Sequence, residues 1–306
     1  MRSSILVIVL STALAACGAS SGGDTKIGDS CDAKNKCSAG QVCDLTDPKG
    51  ANCIDADGDI DGDGIPNSMD KCDHMPGGMY DEDGDGIGDE CDACPIAPPP
   101  ETPDTDNDGV DAPCDPNPDT DGDKIVLFNG FNGTAIPDGW TASSAAWQIT
   151  GGEAIMTPSD PATVETLSGP LSLATSHTVL FTAFRVDSVA TGATDVGAAV
   201  TGITKLPMGN SSAECGGTRD SGGDQVALET DAGSNSKVFL KGLFDPAGLY
   251  NVLEQLNGGT ANCALIAPAE SGAVQTNTAG NALNAAGVTA HGAKTRFEFL
   301  LVVQHP

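Results

Sequence analysis

One very acidic stretch constrains this chain more than any other feature. Residues 55–123 hold 23 acidic residues against a single basic residue, Lys71. Of the 12 aromatic residues in the chain, Tyr80 is the one that lies before residue 124. A segment of this composition cannot bury enough apolar surface to fold unaided, so it needs cations or disulfides. The 183 residues from 124 onward, in contrast, can hold a sizeable hydrophobic core.

The acidic stretch is built from a repeated motif. Complete copies begin at Asp59, Asp81 and Asp104, and these start-to-start spacings of 22 and 23 residues define a true repeat. Each copy has Asp at positions 1, 3 and 5 and Gly at position 6. A degenerate fourth copy begins at Asp119, and Asp55-Ala-Asp57 extends the first copy on its N-terminal side.

The spacing of these side chains suits a hard cation. Calcium takes six to eight oxygen ligands at about 2.4 Å, and carboxylates at positions 1, 3 and 5 converge when the backbone curls around an ion. Glycine at position 6 permits the sharp turn, position 7 offers its carbonyl oxygen, and positions 9 and 12 close the shell. We therefore predict that this region binds several Ca²⁺ ions. The predicted ligands are Asp55, Asp57, Asp59, Asp61, Asp63, Ile65, Asn67, Asp70, Asp81, Asp83, Asp85, Ile87, Asp89, Asp92, Asp104, Asp106, Asp108, Val110, Asp115, Asp119, Asp121 and Asp123.

The copies differ in completeness. The first two supply every position of the loop, whereas the third has Ala112 at position 9, and its Asp111 comes one place early. The fourth has Lys124 where the glycine should be and lacks the closing acid, so it forms a half-site at most. EF-hand and dockerin modules use the same loop between two helices, but the flanks Asp73–Gly78 and Pro95–Pro100 contain prolines and glycines that no helix tolerates. A disordered acidic linker is the remaining alternative, although a disordered segment would not need the regular repeat that this one has.

The cysteines fall in step with the repeats. The segment from Asp81 to Pro95, with Cys91 and Cys94 in register, resembles the thrombospondin type 3 repeat, and the resemblance covers about residues 55–123. It implies irregular chain wrapped around a string of three to five calcium ions, with disulfides Cys72–Cys91 and Cys94–Cys114. With calcium bound, we expect a compact and rigid stalk, which would expand by self-repulsion when calcium is removed.

The N-terminus indicates export. Arg2 and the apolar run Ile5–Leu10 form a segment too short to span a bilayer, as in a signal peptide. Leu14-Ala15-Ala16-Cys17 resembles the lipobox of bacterial lipoproteins, which implies a signal peptide over 1–16, lipidation of Cys17, a linker over 17–30, and an outer-membrane or cell-surface location. An ordinary signal peptide is the alternative. The net charge of −29 argues against a nucleic-acid partner.

Ten further cysteines in an oxidising compartment predict disulfides. Cys31, Cys37, Cys43 and Cys53 define a small disulfide-rich module over 31–53 whose three possible connectivities stay open. Cys215 and Cys263 stand alone in the last domain and are expected to pair. The single Cys91-Asp-Ala-Cys94 motif has no second CxxC or paired histidine, so a zinc or redox role is disfavoured.

Residues 124–306 are predicted to form an antiparallel β-sandwich, which makes the whole protein mainly β. Short, partly alternating segments rich in Val, Thr and Phe are separated by Gly, Pro, Asn and Ser. The motifs Phe128–Phe131, Pro137–Trp140 and Ala146–Ala154 resemble the opening of concanavalin-like or laminin-G-like jelly rolls. The Ala- and Gly-rich segment 264–295 is expected to be a long loop or weak strands.

The sequence favours a binding protein over an enzyme. A retaining glycosidase needs two carboxylates about 5 Å apart, but Glu153, Glu165, Glu229 and Glu298 are isolated in sequence, and the four histidines are scattered. We therefore expect a lipid-anchored surface protein whose calcium-stiffened stalk presents a sandwich to a glycan or an extracellular protein. The alternatives are a surface glycan hydrolase with an unrecognised carboxylate pair, and an envelope spacer without a ligand.

Overall fold

The computed structural model describes residues 25–32, 36–98, 104–173, 177–206, 209–230, 235–277 and 282–305. The predicted signal peptide 1–16 and the predicted lipidation site Cys17 lie outside these residues, so both stay predictions. Within the described ranges the structure contains no helix of the length and apolar character that crossing a membrane requires.

The described chain is all β. Its strands are β1 (Gln41–Asp44), β2 (Asn52–Asp55), β3 (Lys124–Asn129), β4 (Thr141–Ala142), β5 (Trp147–Ile149), β6 (Ala154–Met156), β7 (Glu165–Pro170), β8 (His177–Val189), β9 (Val196–Leu206), β10 (Gly209–Asp220), β11 (Gly223–Thr230), β12 (Asn235–Phe239), β13 (Tyr250–Asn257), β14 (Thr260–Ile266), β15 (Ser271–Asn277), β16 (Ala285–His291) and β17 (Ala293–His305). The strand pairs of both large sheets are antiparallel, which confirms the predicted fold class.

Two sheets make the sandwich. One has the strand order β12-β11-β10-β9-β16-β7-β4, and the other has the order β15-β14-β13-β8-β17-β6-β5, with β3 added alongside β17. Their facing sides share one apolar core, to which β13 contributes Tyr250, Val252 and Leu256 at alternate positions. This period of two is what a strand with one buried face requires. Trp147 lies in the same core.

The expectation for segment 264–295 is corrected by the structure. Where we expected a long loop or weak strands, the chain forms the end of β14 and the regular strands β15 and β16. Strand β16 lies inside its sheet between β7 and β9 and has almost no large side chains. At Gly287 a Cβ atom would lie 2.3 Å from the carbonyl oxygen of Leu167, so the small residues are needed for close packing. Because these residues are small, the segment lacks the pattern of large apolar residues by which a strand is usually predicted from sequence.

Five disulfides tie the chain together. Cys72–Cys91, Cys94–Cys114 and Cys215–Cys263 are paired as expected. The open connectivity in 31–53 is Cys31–Cys43 and Cys37–Cys53, around the hairpin of β1 and β2. Cys215 lies on β10 and Cys263 on β14, so this bond joins the two sheets of the sandwich.

The acidic repeats pack against the sandwich. The Cys94–Cys114 disulfide and Val110 are buried in a second apolar cluster with Phe299, Leu301 and Val303 on the outer face of β17. Because the inner face of β17 lies in the main core, the run Phe299–Val303 is apolar without alternation. Cys94, Val110 and Cys114 of the array therefore lie on the sheet itself.

A carboxyl group lies inside the sandwich core. Glu254 on β13 is fully buried, and neither of its carboxylate oxygens has a hydrogen-bond partner at ordinary geometry in the described part of the chain. Burial raises the pKa of Glu254 well above its ordinary value, and the charge of Glu214 adds to the shift. The folded protein therefore holds this carboxyl group protonated at a pH where the unfolded chain has released the proton.

We predict that Glu254→Gln flattens the pH dependence of stability. Between the unfolded and the folded pKa of Glu254, the folded state binds one proton more, so wild-type stability falls as pH rises, by up to about 1.4 kcal/mol per pH unit. Chemical denaturation in saturating calcium at pH 5, 6.5 and 8 measures this slope. The exposed Asp138→Asn serves as the control and should behave as wild type. Equal slopes in Glu254→Gln and wild type would contradict the prediction.

Candidate metal centre

Three acidic loops adopt the same geometry. In each, the carboxylates at positions 1, 3 and 5 offer ligand atoms that lie within 4.8 Å of one another. The three groups are Asp59, Asp61 and Asp63; Asp81, Asp83 and Asp85; and Asp104, Asp106 and Asp108. The structure thus brings together the central nine of the predicted ligands, three from each complete copy of the motif.

Left-handed backbone at two positions curls each loop. Position 6 is Gly64, Gly86 or Gly109, with φ of 96°, 100° and 96°, as the sequence predicts. Position 4 is also left-handed, at Gly62 (φ 81°), Gly84 (φ 78°) and Asn107 (φ 69°). The sequence analysis missed position 4, although Gly, Gly and Asn are the residues that adopt this conformation most readily.

Backbone amides fix the first carboxylate of each loop. The N–H groups at positions 4 and 6 donate to the two oxygens of the position 1 aspartate, at 2.7 and 3.1 Å for Asp59 and at the same distances for Asp81. Asp104 accepts the equivalent bonds at 2.7 and 2.9 Å. The loop therefore holds its carboxylates in place through its own backbone.

The aspartates at position 3 have buried oxygens without partners. Asp61 Oδ2, Asp83 Oδ2 and both oxygens of Asp106 are buried and lack a hydrogen-bond partner at ordinary geometry within the described residues. An unpartnered buried carboxylate oxygen is costly, and more so beside other anions. A divalent cation in the loop would compensate these groups, and an all-oxygen set is what calcium prefers. The residues present therefore fit the ion that the sequence implies.

The closing positions behave alike in the three copies. At position 12, Asp70, Asp92 and Asp115 each accept a hydrogen bond from the backbone N–H two residues later, at 2.8, 2.8 and 2.6 Å. The third copy, which has Ala112 at position 9, thus keeps the same closing turn. Each closing aspartate retains a second carboxylate oxygen that this bond does not use.

The residue at position 9 has a structural role in the first two copies, where it accepts a backbone hydrogen bond. The Oδ1 atoms of Asn67 and Asp89 accept hydrogen bonds from the position 2 amides of Ile60 and Glu82, at 3.1 and 2.8 Å. This bond closes the loop across its mouth. The assignment of Asn67 and Asp89 as ligands stays a prediction, as do the carbonyl ligands Ile65, Ile87 and Val110.

The flanking predicted ligands form no such cluster among the described residues. Asp55, Asp57, Asp119 and Asp121 are exposed, in keeping with a fourth copy that is incomplete. Asp123 is fully buried instead, and its Oδ1 lies 2.7 Å from Nδ1 of His305 at the end of β17. The last aspartate of the array therefore ties it to the final strand of the sandwich. The ligand roles of these five residues stay predictions.

The pKa values show how strongly the carboxylates disfavour charge. Burial raises the pKa of Asp92 to about 7, and the charge of Asp85 contributes. Burial likewise raises the pKa of Asp89 to about 6 and that of Asp115 to about 7. A cation would reverse these shifts, because it favours the ionised form of each ligand.

A second feature lies on the outer face of the seven-stranded sheet. Two adjoining hollows of about 80 and 350 Å³ share Asp195, Glu214, Glu229 and His291 in their walls. Glu214 lies directly opposite Glu229 in the register of β10 and β11, and Nζ of Lys237 is 3.0 Å from Glu229 Oε1. Glu229 is isolated in sequence, but on the sheet it lies opposite Glu214, which comes 15 residues earlier in the chain.

The other three glutamates that are isolated in sequence each have a structural contact. Glu153 and Glu298 form ion pairs with Arg296 and Arg185, at 2.6 and 2.8 Å. Glu165 is buried and accepts a hydrogen bond from the hydroxyl of Ser143. None of the three lines the hollows described above.

The fold and the loops define an all-β protein in which an array of aspartate loops packs on an antiparallel sandwich. No protein-family model matches the sequence, and no curated protein is similar to it. Solved structures similar to the chain include Lectin I from Ulex europaeus, with 9% identity over 59% of this chain and 97% of that one, at a TM-score of 0.44. They also include an endo-1,3-β-glucanase from Streptomyces sioyaensis, with 9% identity over 61% and 98%, at a TM-score of 0.44.

We predict that position 4 tolerates asparagine better than alanine. A Cβ atom at Gly62 would meet nothing within 4 Å, so a substitution there tests the backbone alone. Gly62→Ala should weaken calcium binding by the first loop about fivefold, since a left-handed alanine costs about 1 kcal/mol. Gly62→Asn, which copies Asn107 of the third loop, should stay near wild type. Calcium titration calorimetry checks both variants, and equal affinities would contradict the prediction.

Proposed function

We propose that the protein is an exported, calcium-binding surface protein whose acidic array takes several Ca²⁺ ions and thereby fixes the array against a ligand-binding β-sandwich. The observation that carries the proposal is the convergence of three aspartates in each of three loops, with buried, unpartnered oxygens at position 3. A set of carboxylate oxygens without nitrogen or sulfur ligands favours a hard cation.

Each loop would hold its ion through a shared set of residues. The aspartates at positions 1, 3 and 5 supply carboxylates, the residue at position 7 supplies its carbonyl, and the aspartate at position 12 closes the shell. Bound calcium supplies the positive charge that offsets carboxylate repulsion. The chain itself holds the carboxylates close together, through its glycine turns and its backbone amide hydrogen bonds.

Val110 connects calcium binding to the sandwich. Its carbonyl is the predicted position 7 ligand of the third loop, while its side chain is 2% exposed in the cluster with Phe299 and Leu301. An ion that orders this loop would therefore also order the contact with β17. Calcium removal would loosen the array from the sheet, because the repulsion among its carboxylates would then oppose the apolar contact.

We predict that calcium binding depends on the position 3 aspartates. The triple variant Asp61→Ala/Asp83→Ala/Asp106→Ala should lose most high-affinity sites in calorimetric titration, because each substitution removes a carboxylate with an unpartnered oxygen. The control Asp138→Ala/Asp160→Ala/Glu270→Ala removes the same charge from exposed sites on the sandwich and should titrate as wild type. Small-angle scattering should show compaction with calcium in wild type and in the control alone. Similar, salt-sensitive binding by all three proteins would indicate a plain acidic linker.

The proposed place of the protein is the outer membrane or cell surface, with a lipid anchor on Cys17. The disulfides support export, since five such bonds persist in an oxidising compartment. The sandwich would then contact a glycan or an extracellular protein. For this role we favour the hollows around Glu214 and His291, where polar side chains surround a floor of small residues such as Gly197 and Ala199.

A second candidate function is glycan hydrolysis at the same hollows. The observation that favours it is the register of Glu214 opposite Glu229, since directly opposed residues on neighbouring strands have Cβ atoms about 5 Å apart. Such a pair is close enough for the two-carboxylate mechanism of a retaining glycosidase. We rank it second because Lys237 is paired with Glu229.

Glu214→Gln and Glu229→Gln separate the two candidates. For a binding site, we predict that wild type gives a signal on a glycan array without releasing reducing sugar, and that each variant weakens this signal severalfold. Release of reducing sugar by wild type, with a loss of more than a hundredfold in either variant, would instead establish the hydrolase. Glu298→Gln, on the other sheet, is the matched control.

A further inference from the structure

A second kind of metal site lies where the small disulfide module meets the first repeat. Asp44 is the last residue of β1, Asp47 follows in the turn toward β2, and His74 comes two residues after Cys72 of the array. Ligand atoms of these three side chains lie within 4.8 Å of one another. None of them belongs to the repeated aspartate motif, so the regular loops do not account for this cluster.

The cluster is built into the fold. Asp44 is fully buried, its Oδ1 accepts bonds of 2.8 Å from the backbone N–H and the hydroxyl of Thr46, and its Oδ2 lies 2.8 Å from Nε2 of His74. Asp47 is oriented by bonds from the Lys49 amide and the Asn52 side chain, at 2.8 and 2.9 Å. Disulfides at Cys43 and Cys72 anchor both sides of the cluster.

Asp73 provides a second, independent observation. This residue is 3% exposed, and its Oδ1 is buried without a hydrogen-bond partner in the described part of the chain. Asp73 directly precedes His74 in the chain, so this unpartnered carboxylate lies beside the cluster.

Charge and ligand type indicate what would fill this space. Two carboxylates lie with the imidazole and a third is carried by the preceding residue, so even a protonated His74 would leave two negative charges uncompensated. A divalent cation removes this excess. An imidazole nitrogen among carboxylate oxygens suits zinc and similar transition metals, whereas calcium takes oxygen ligands.

We propose that Asp44, Asp47 and His74, with the carboxylate of Asp73 beside them, form a binding site for one zinc-like divalent metal ion. The ion would clamp the hairpin of β1 and β2 to the start of the array, because Asp44 and Asp47 come from the hairpin and His74 comes from the array. His74 keeps about a third of its side chain exposed, which leaves a path for the ion. The site is independent of the calcium proposal, since it shares no residue with the three aspartate loops.

The test uses the disulfide-intact mature chain in saturating calcium. Zn²⁺ is titrated by calorimetry, and Co²⁺ serves as a spectroscopic probe, because its visible absorption reports coordination by nitrogen and oxygen. We expect one ion per chain in wild type and at least a hundredfold weaker binding in His74→Gln. Asp47→Asn should weaken binding about tenfold. His291→Gln is the matched control, because His291 also faces an aspartate, Asp195 at 3.4 Å, outside the proposed site.

Several results would overturn the proposal. Absence of Zn²⁺ binding in wild type would do so, as would equal binding in His74→Gln. Loss of Zn²⁺ binding when calcium is added would identify the cluster as part of the calcium array. Binding that survives in His74→Gln but is lost in His305→Gln would place the ion beside His177 and His305, whose rings stack 5.8 Å apart. Unchanged calcium titration of His74→Gln confirms that the variant is folded.

Discussion

The first half of this molecule depends on holding together carboxylates that repel one another. Residues 55–123 carry few large apolar side chains, so hydrophobic burial cannot offset that repulsion as it does in an ordinary domain. The chain answers with covalent and local constraints: disulfides at Cys72 and Cys94, left-handed turns at positions 4 and 6, and amide hydrogen bonds to the first aspartate of each loop. These constraints fix the shape of the loops. The free energy cost that remains is the repulsion among the carboxylates, which a bound cation would offset.

The sandwich of residues 124–306 depends instead on hydrophobic burial, and the acidic array meets it at β17. That strand is buried on its inner face by the sandwich core and on its outer face by Val110 and the Cys94–Cys114 bond. The array thus covers an apolar surface that a free sandwich would expose to water. Under the proposed function, one loop couples electrostatics to hydrophobic burial, because Val110 would offer its carbonyl to the ion while its side chain packs against β17.

Much of this arrangement could be predicted from the sequence where the signal is local. The Asp and Gly spacing predicted the three loops, and the alternation of apolar residues predicted the sandwich. The turn at position 4 was also visible, as Gly62, Gly84 and Asn107, but it was not used. Position 9 was assigned as a ligand from the loop pattern alone, whereas Asn67 and Asp89 also hold the mouth of the loop closed.

What the sequence could not show depends on contacts between distant residues. Glu214 faces Glu229 through the register of the β10–β11 hairpin, which follows only once the turn between Asp220 and Gly223 is known. Strand β16 escaped notice because close backbone packing demands small residues there. One sequence feature does indicate the docking of the array. The apolar run Phe299–Val303 is uninterrupted, which is typical of a strand buried on both faces.

The disulfides of the array also set how far the protein can reach under tension. A pull between a surface and a bound ligand would pass through residues 55–123, but the loops closed by Cys72–Cys91 and Cys94–Cys114 span 19 and 20 residues that cannot lengthen. The extensible contour is therefore about 30 residues, or roughly 100 Å at full extension, in place of roughly 230 Å for the unlinked chain. As a tether, the array would have the same maximum length with and without calcium, and calcium would govern how readily it is stretched toward that length.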